Sequence, residues 1–113
     1  MEKTIKLNGE DLRLRSSLFT IIEYRSIFGT ELFKDITKLE QSEKDGNITE
    51  VLEVLFKIIY VLHKPFTKKS FEEFMQDLDF NVLSDVSELE NLSLTIAELL
   101  GGNATETNDE APK

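Results

Sequence analysis

The stretch NITEVLEVLFKIIYVLHKP, residues 47–65, decides the fold. Asn47 and Glu50 have the spacing of a capping box, in which side chains satisfy amide donors that the first helical turn leaves open. Pro65 ends the helix, because it lacks an amide hydrogen and its ring clashes with the preceding turn. Between them Ile48, Val51, Leu52, Val54, Leu55, Phe56, Ile58, Ile59, Val61 and Leu62 cover most of the circumference. Glu50, Glu53, Lys57 and Lys64 form a narrow polar stripe. The pattern predicts a helix over 48–64, and one so apolar is either the centre of a core or lies under a partner.

Upstream, Asp45-Gly46 closes an earlier helix expected over 31–42. Thr30 is its expected cap, Leu32, Phe33, Ile36 and Leu39 its apolar stripe, and Glu40 to Lys44 its frayed end. Leu18, Ile21, Ile22, Arg25 and Phe28 stand at helical spacing and predict a helix over 18–28, with Gly29 closing it in the left-handed conformation. Before it, Ile5 and Leu7, then Leu12 and Leu14, alternate with polar residues around Asn8-Gly9, the signature of a β-hairpin over 3–15. Two strands alone are marginal, so helices must cover their apolar face.

Downstream, Phe66 and Phe71 are placed as a hydrophobic staple around a Thr67 cap, and Phe71, Phe74, Met75 and Leu78 continue a helix over 68–78. Val82, Val86, Leu89, Ile96 and Leu100 recur near heptad spacing and predict a last helix over 82–100. Residues 101–113 have no large apolar side chain and read as a disordered acidic tail. The expected architecture is α+β and mostly α: an N-terminal β-hairpin followed by about five helices, in one globular domain over 1–100.

The chain has 113 residues, no cysteine and a formal net charge of −9. Without cysteine there is no disulfide framework, thiolate metal site or thiol nucleophile. The acidic balance argues against nucleic acid as a partner, because phosphate binding needs a basic surface. No apolar run approaches the ~20 residues that cross a bilayer, and the first residues lack the apolar core of a signal peptide, so a cytoplasmic protein without a membrane partner is expected.

Catalytic chemistry has few candidates. His63 is the sole histidine, no Gly-x-Ser-x-Gly motif accompanies it, and an imidazole at a helix C-terminus is favoured by the helix dipole. Asp77, Asp79, Asn81, Asp85 and Glu88 match the ligand spacing of a calcium loop, but Val82 occupies the position where such a loop turns on glycine. That run reads as an acidic helix start, and no enzyme activity, cofactor or metal is expected. What remains is apolar surface, with eight Phe and two Tyr. Phe56, Tyr60, Phe71 and Phe74 stand on helical faces that one small core need not cover, and are either core or a protein-binding surface.

Taken in order, Leu7-Asn8-Gly9 with Leu12-Arg13-Leu14, Ile22-Glu23-Tyr24, Phe28-Gly29, Leu32-Phe33, the run Phe56 to Lys64, and Ser70-Phe71-Glu72-Glu73-Phe74 resemble the tail assembly chaperones of long-tailed bacteriophages and prophages of Gram-positive bacteria. The resemblance covers roughly residues 4–80, and Phe74 stands where many members carry Trp. It implies a non-enzymatic protein of the host bacterial cytoplasm that coats the aggregation-prone tape measure protein. Tail tube protein polymerising around that client then displaces the chaperone, which is absent from the mature virion. Many copies on one filament imply a homo-oligomer of weak affinity, and a flexible end suits the longer frameshifted product common in the family. The alternative readings are an acidic helical protein–protein adaptor and a DNA mimic or anti-repressor. A mimic needs an unbroken carboxylate face, whereas here Lys34, Lys38, Lys44, Lys57, Lys64, Lys68 and Lys69 alternate with the acids.

Overall fold

The computed structural model describes residues 1–7, 9–84 and 86–101, and the side chains of all but residues 84–90 among them. Strand β1 (Glu2–Leu7) pairs antiparallel with β2 (Glu10–Arg15), with Ile5 opposite Leu12 and Leu7 opposite Glu10. Gly9 turns the chain at φ 79°, a conformation that glycine adopts without steric cost. Its expected turn partner Asn8 lies outside the described residues. Helices α1 (Leu18–Phe28), α2 (Leu32–Asp45), α3 (Ile48–His63), α4 (Phe71–Gln76) and α5 (Val86–Leu99) follow, with 3-10 turns at Lys64–Phe66 and Phe80–Ser84. Among the described residues the fold is α+β and mostly α, a hairpin followed by five helices.

Helix α3 is the hub. It touches α1, α2, α4, α5, strand β2 and the 3-10 turn that follows it. Val54, Leu55, Phe56, Ile58, Ile59, Tyr60, Val61 and Leu62 are all buried along it, each contributing on the order of 1.5–3 kcal/mol of transfer free energy at most. Of the two readings open for this helix, its Val54–Leu62 segment is core. The hairpin lays Ile5, Leu7 and Leu14 against the helices, with β2 over α3 and β1 over α5. Lys3, on the same strand face, reaches out to Glu98 of α5 at 3.2 Å.

Several local expectations are corrected. Helix α4 begins at Phe71 instead of residue 68. Ser70 caps it with a complete capping box: the Glu73 amide donates to Ser70 Oγ at 3.2 Å, and the Ser70 amide to Glu73 Oε1 at 2.9 Å. Two satisfied donors outweigh the Thr67 alternative, whose hydroxyl instead accepts the Lys69 amide. The Phe66–Phe71 staple is also absent, since Phe66 lies beneath the Arg13 guanidinium at 4.4 Å while Phe71 packs on Phe28. The last helix does not start at Val82. Asp79 Oδ1 accepts the Asn81 amide and the Asp79 carbonyl accepts that of Val82, so a tight 3-10 turn precedes α5.

Helix α2 runs to Asp45 without fraying at Glu40, and Gly46 ends it at φ 75°. Its last turns are held because Ser42 is buried and donates to the Glu50 carboxylate, which also takes Lys38 at 3.3 Å. The Ser42 hydroxyl, then Lys38, hold the Glu50 carboxyl below its ordinary value. The Asn47 capping box is therefore half formed: Asn47 Oδ1 accepts the Glu50 amide, while the Glu50 side chain ties α3 to α2. Thr30 does not cap α2, because its hydroxyl donates to Asp35 at 2.8 Å and Glu31 stands at the cap position. The tail expected beyond residue 101 lies outside the described residues.

Candidate functional site

An aromatic cluster gathers where α1, α3 and α4 meet. Phe28 meets Tyr24 and Phe71 at centroid distances of 5.0 Å each, and Tyr60 meets Phe71 at 5.5 Å and Phe74 at 5.6 Å. Edge-on rings at such distances are attracted beyond the area they bury. The Tyr60 hydroxyl donates to the Lys69 carbonyl at 2.6 Å and so holds the connection into α4 against α3.

Three of the four expected contact residues are thus withdrawn from solvent. Phe56, Tyr60 and Phe74 are 3%, 2% and 6% exposed and belong to the buried core. Helix α4 folds back across α3 and sets its own Phe74 against Tyr60. Phe71 is half-buried, and with Phe56 it lines a groove of about 480 Å³ whose rim carries the exposed Phe80.

Apolar surface is also open on the far side of α1. Leu18 is 84% exposed, Ile22 63% and Phe33 55%. Leu18 and Ile22 are one turn apart on the outer face of α1. Ile22 shares an indentation of about 290 Å³ with Ile21, Arg25, Glu31, Leu32 and Phe33 at the start of α2. Of the expected α1 stripe, Ile21 and Phe28 turn inward and pack on the core, whereas Leu18, Ile22 and Arg25 face solvent. The helix's buried residues are Thr20 and Tyr24, joined by the half-buried Ile21 and Phe28.

Polar bonds explain that orientation. Tyr24 is fully buried and its hydroxyl donates to Asp35 Oδ2 at 2.6 Å, with Thr30 as the second donor to the same oxygen. Thr20 Oγ1 accepts the Ser17 amide at 3.0 Å and completes the first turn. The overlooked sequence signal is that α1 carries two i,i+4 pairs, Leu18–Ile22 and Thr20–Tyr24. The polar-tipped pair goes inside because a carboxylate waits for it there.

Burial pushes the Tyr24 phenol up from its ordinary value, with the Asp35 hydrogen bond as the next cause. Tyr60 moves up as well, first by burial and then through Glu23 and Glu73. Raised folded-state values leave stability intact below the ordinary phenol pKa of about 10 and remove it as pH climbs beyond, since there only the unfolded chain gives up the proton. The two tyrosines are the chain's sole phenols, and it has no tryptophan. Tyrosinate absorbance should accordingly stay flat through about pH 10 and rise together with loss of helical circular dichroism. A rise that precedes unfolding would contradict the burial of both rings.

His63 joins α3 to the hairpin. A carbonyl can only accept, so His63 Nδ1 carries the proton and donates to the Arg13 carbonyl at 2.8 Å. The imidazole therefore acts here as a brace. Among the described residues no three acidic or histidine side chains converge as a metal site. Of the calcium-loop pattern, Asp77 takes Lys69 and Asp79 takes the Asn81 amide, while the Asp85 and Glu88 side chains lie outside the described residues. Among the described residues no helix is long and apolar enough to cross a membrane.

Compared with family models, curated proteins and solved structures, the chain matches none.

Proposed function

We propose that the protein is a non-enzymatic phage tail assembly chaperone that binds the tape measure protein and keeps it soluble in the host cytoplasm until tail tube subunits replace it. The observation that carries this reading is the open apolar face of Leu18, Ile22 and Phe33 on a chain of net charge −9. A holding protein needs both properties: apolar area to occupy the client's exposed segments, and like charge to keep the loaded complex dispersed. The ordered resemblance from Leu7 to Phe74 supports the same role. On this reading copies bind side by side along one client with weak mutual affinity, and the chaperone leaves before the virion is complete.

Co-expression with the large tape measure product tests the proposal. The client should be soluble and co-purify with this protein, and should aggregate without it. Leu18→Glu with Ile22→Glu should abolish that effect while the variant's own unfolding midpoint changes little, because both side chains are already in water. A client that remains insoluble beside the unaltered protein would overturn the assignment.

A further inference from the structure

We propose that the trough between α2 and α5 is a docking site for one helix of another protein, apolar on the face that enters and carrying Lys or Arg along one flank. Its volume is about 450 Å³. One wall is the apolar stripe of α2, the other is Ile96 and Ala97 of α5 with Leu100 just beyond it, and the floor is Leu55 and Ile58 of α3. From Phe33 to Glu43 the α2 wall rises roughly 15 Å, about three turns of an incoming helix. Two walls and a floor of helices present the ridges against which a further helix packs.

Charge selects the occupant. Glu40 and Glu43 stand one turn apart along the α2 rim, and among the described residues no Lys or Arg lines the trough. Among the described residues neither carboxylate has an ion-pair partner, whereas Glu50 and Glu53 on α3 are paired with Lys38 and Lys57. A helix with cations at i,i+3 or i,i+4 beside its apolar stripe meets both carboxylates as its apolar side chains reach the floor. Residues 102–113 have no large apolar side chain to offer. This surface adjoins the open face of Leu18 and Ile22 at Phe33, but its floor on α3 and its α5 wall lie outside that face, and its occupancy does not depend on the identity of the chaperone's client.

The test uses the full chain and two synthetic helical peptides with the same Leu stripe, one flanked by Lys and one by Glu, followed by fluorescence anisotropy. The Leu/Lys peptide should bind and the Leu/Glu peptide should not. Glu40→Lys with Glu43→Lys should weaken the Leu/Lys peptide about tenfold and admit the Leu/Glu peptide. Glu10→Lys with Glu72→Lys changes net charge equally and should leave binding within about twofold. Ala97→Glu, at a half-buried position on the α5 wall, should abolish binding with circular dichroism retained. An equal loss in the Glu10/Glu72 pair would reduce the effect to general attraction and overturn the proposal. So would undiminished binding by Ala97→Glu, or a dimer in solution that closes the trough and excludes both peptides. Client solubility can survive each of these outcomes, so the docking site and the chaperone role fail separately.

Discussion

Tyr60→Ala should lower the unfolding free energy by about 3–5 kcal/mol, a large part of the 5–15 kcal/mol typical of a domain. The ring is 2% exposed and is the shared neighbour of Phe28, Phe71 and Phe74, so its removal leaves a cavity bordered by three helices. Rigid helices collapse into such a space only partly, which adds a cavity cost to the lost transfer energy. Tyr60→Phe separates the two parts of the role. It keeps the rings in contact and removes only the hydroxyl donor to Lys69, for about 0.5–1.5 kcal/mol. Denaturant midpoints with unchanged slopes would read both values. A cost below about 1 kcal/mol for Tyr60→Ala would mean that α4 does not close over α3 in solution.

The second large effect is expected at Asp35. Asp35→Ala removes the acceptor shared by Tyr24 and Thr30, and the Tyr24 hydroxyl, fully buried, has no route to water. An orphaned buried donor costs about 1–3 kcal/mol. Asp35→Asn retains a carbonyl acceptor and should cost less. Tyr24→Phe removes the donor from the other side, and because the two residues are in direct contact the double variant should show coupling of about 0.5–3 kcal/mol. Additive losses would show that the bond does not orient α1. A lost bond should also turn Leu18 and Ile22 toward the interior in part of the population, so client binding should fall along with stability.

Those two sites mark where legibility along the chain changes. The α3 helix, the hairpin register and the stops at Gly29 and Gly46 were readable because each rests on residues within a few positions of one another. Apolar period, a side-chain cap and a glycine that can take φ near +75° are all local. The start of α4 was also local information, but two caps competed. Ser70 prevailed over Thr67 because Glu73 answers it at the reciprocal position. Tyr60 touches both Phe71 and Phe74, yet whether these aromatic residues are core or surface was not readable from their spacing. Whether α4 folds back over α3 depends on contacts such as Tyr60 with the Lys69 carbonyl, which no spacing rule encodes.

Composition and periodicity alone determined the class of the fold and the order of its elements, and left α3 as either core or interface. Tertiary structure alone decided which apolar residues face solvent. Helix α1 has two faces of comparable hydrophobicity, and a local pattern cannot rank them. The choice was made by Asp35, eleven positions from Tyr24, whose carboxylate leaves water only if the hydroxyls of Tyr24 and Thr30 come with it. Satisfying that buried charge turns Tyr24 inward and leaves Leu18 and Ile22 facing solvent.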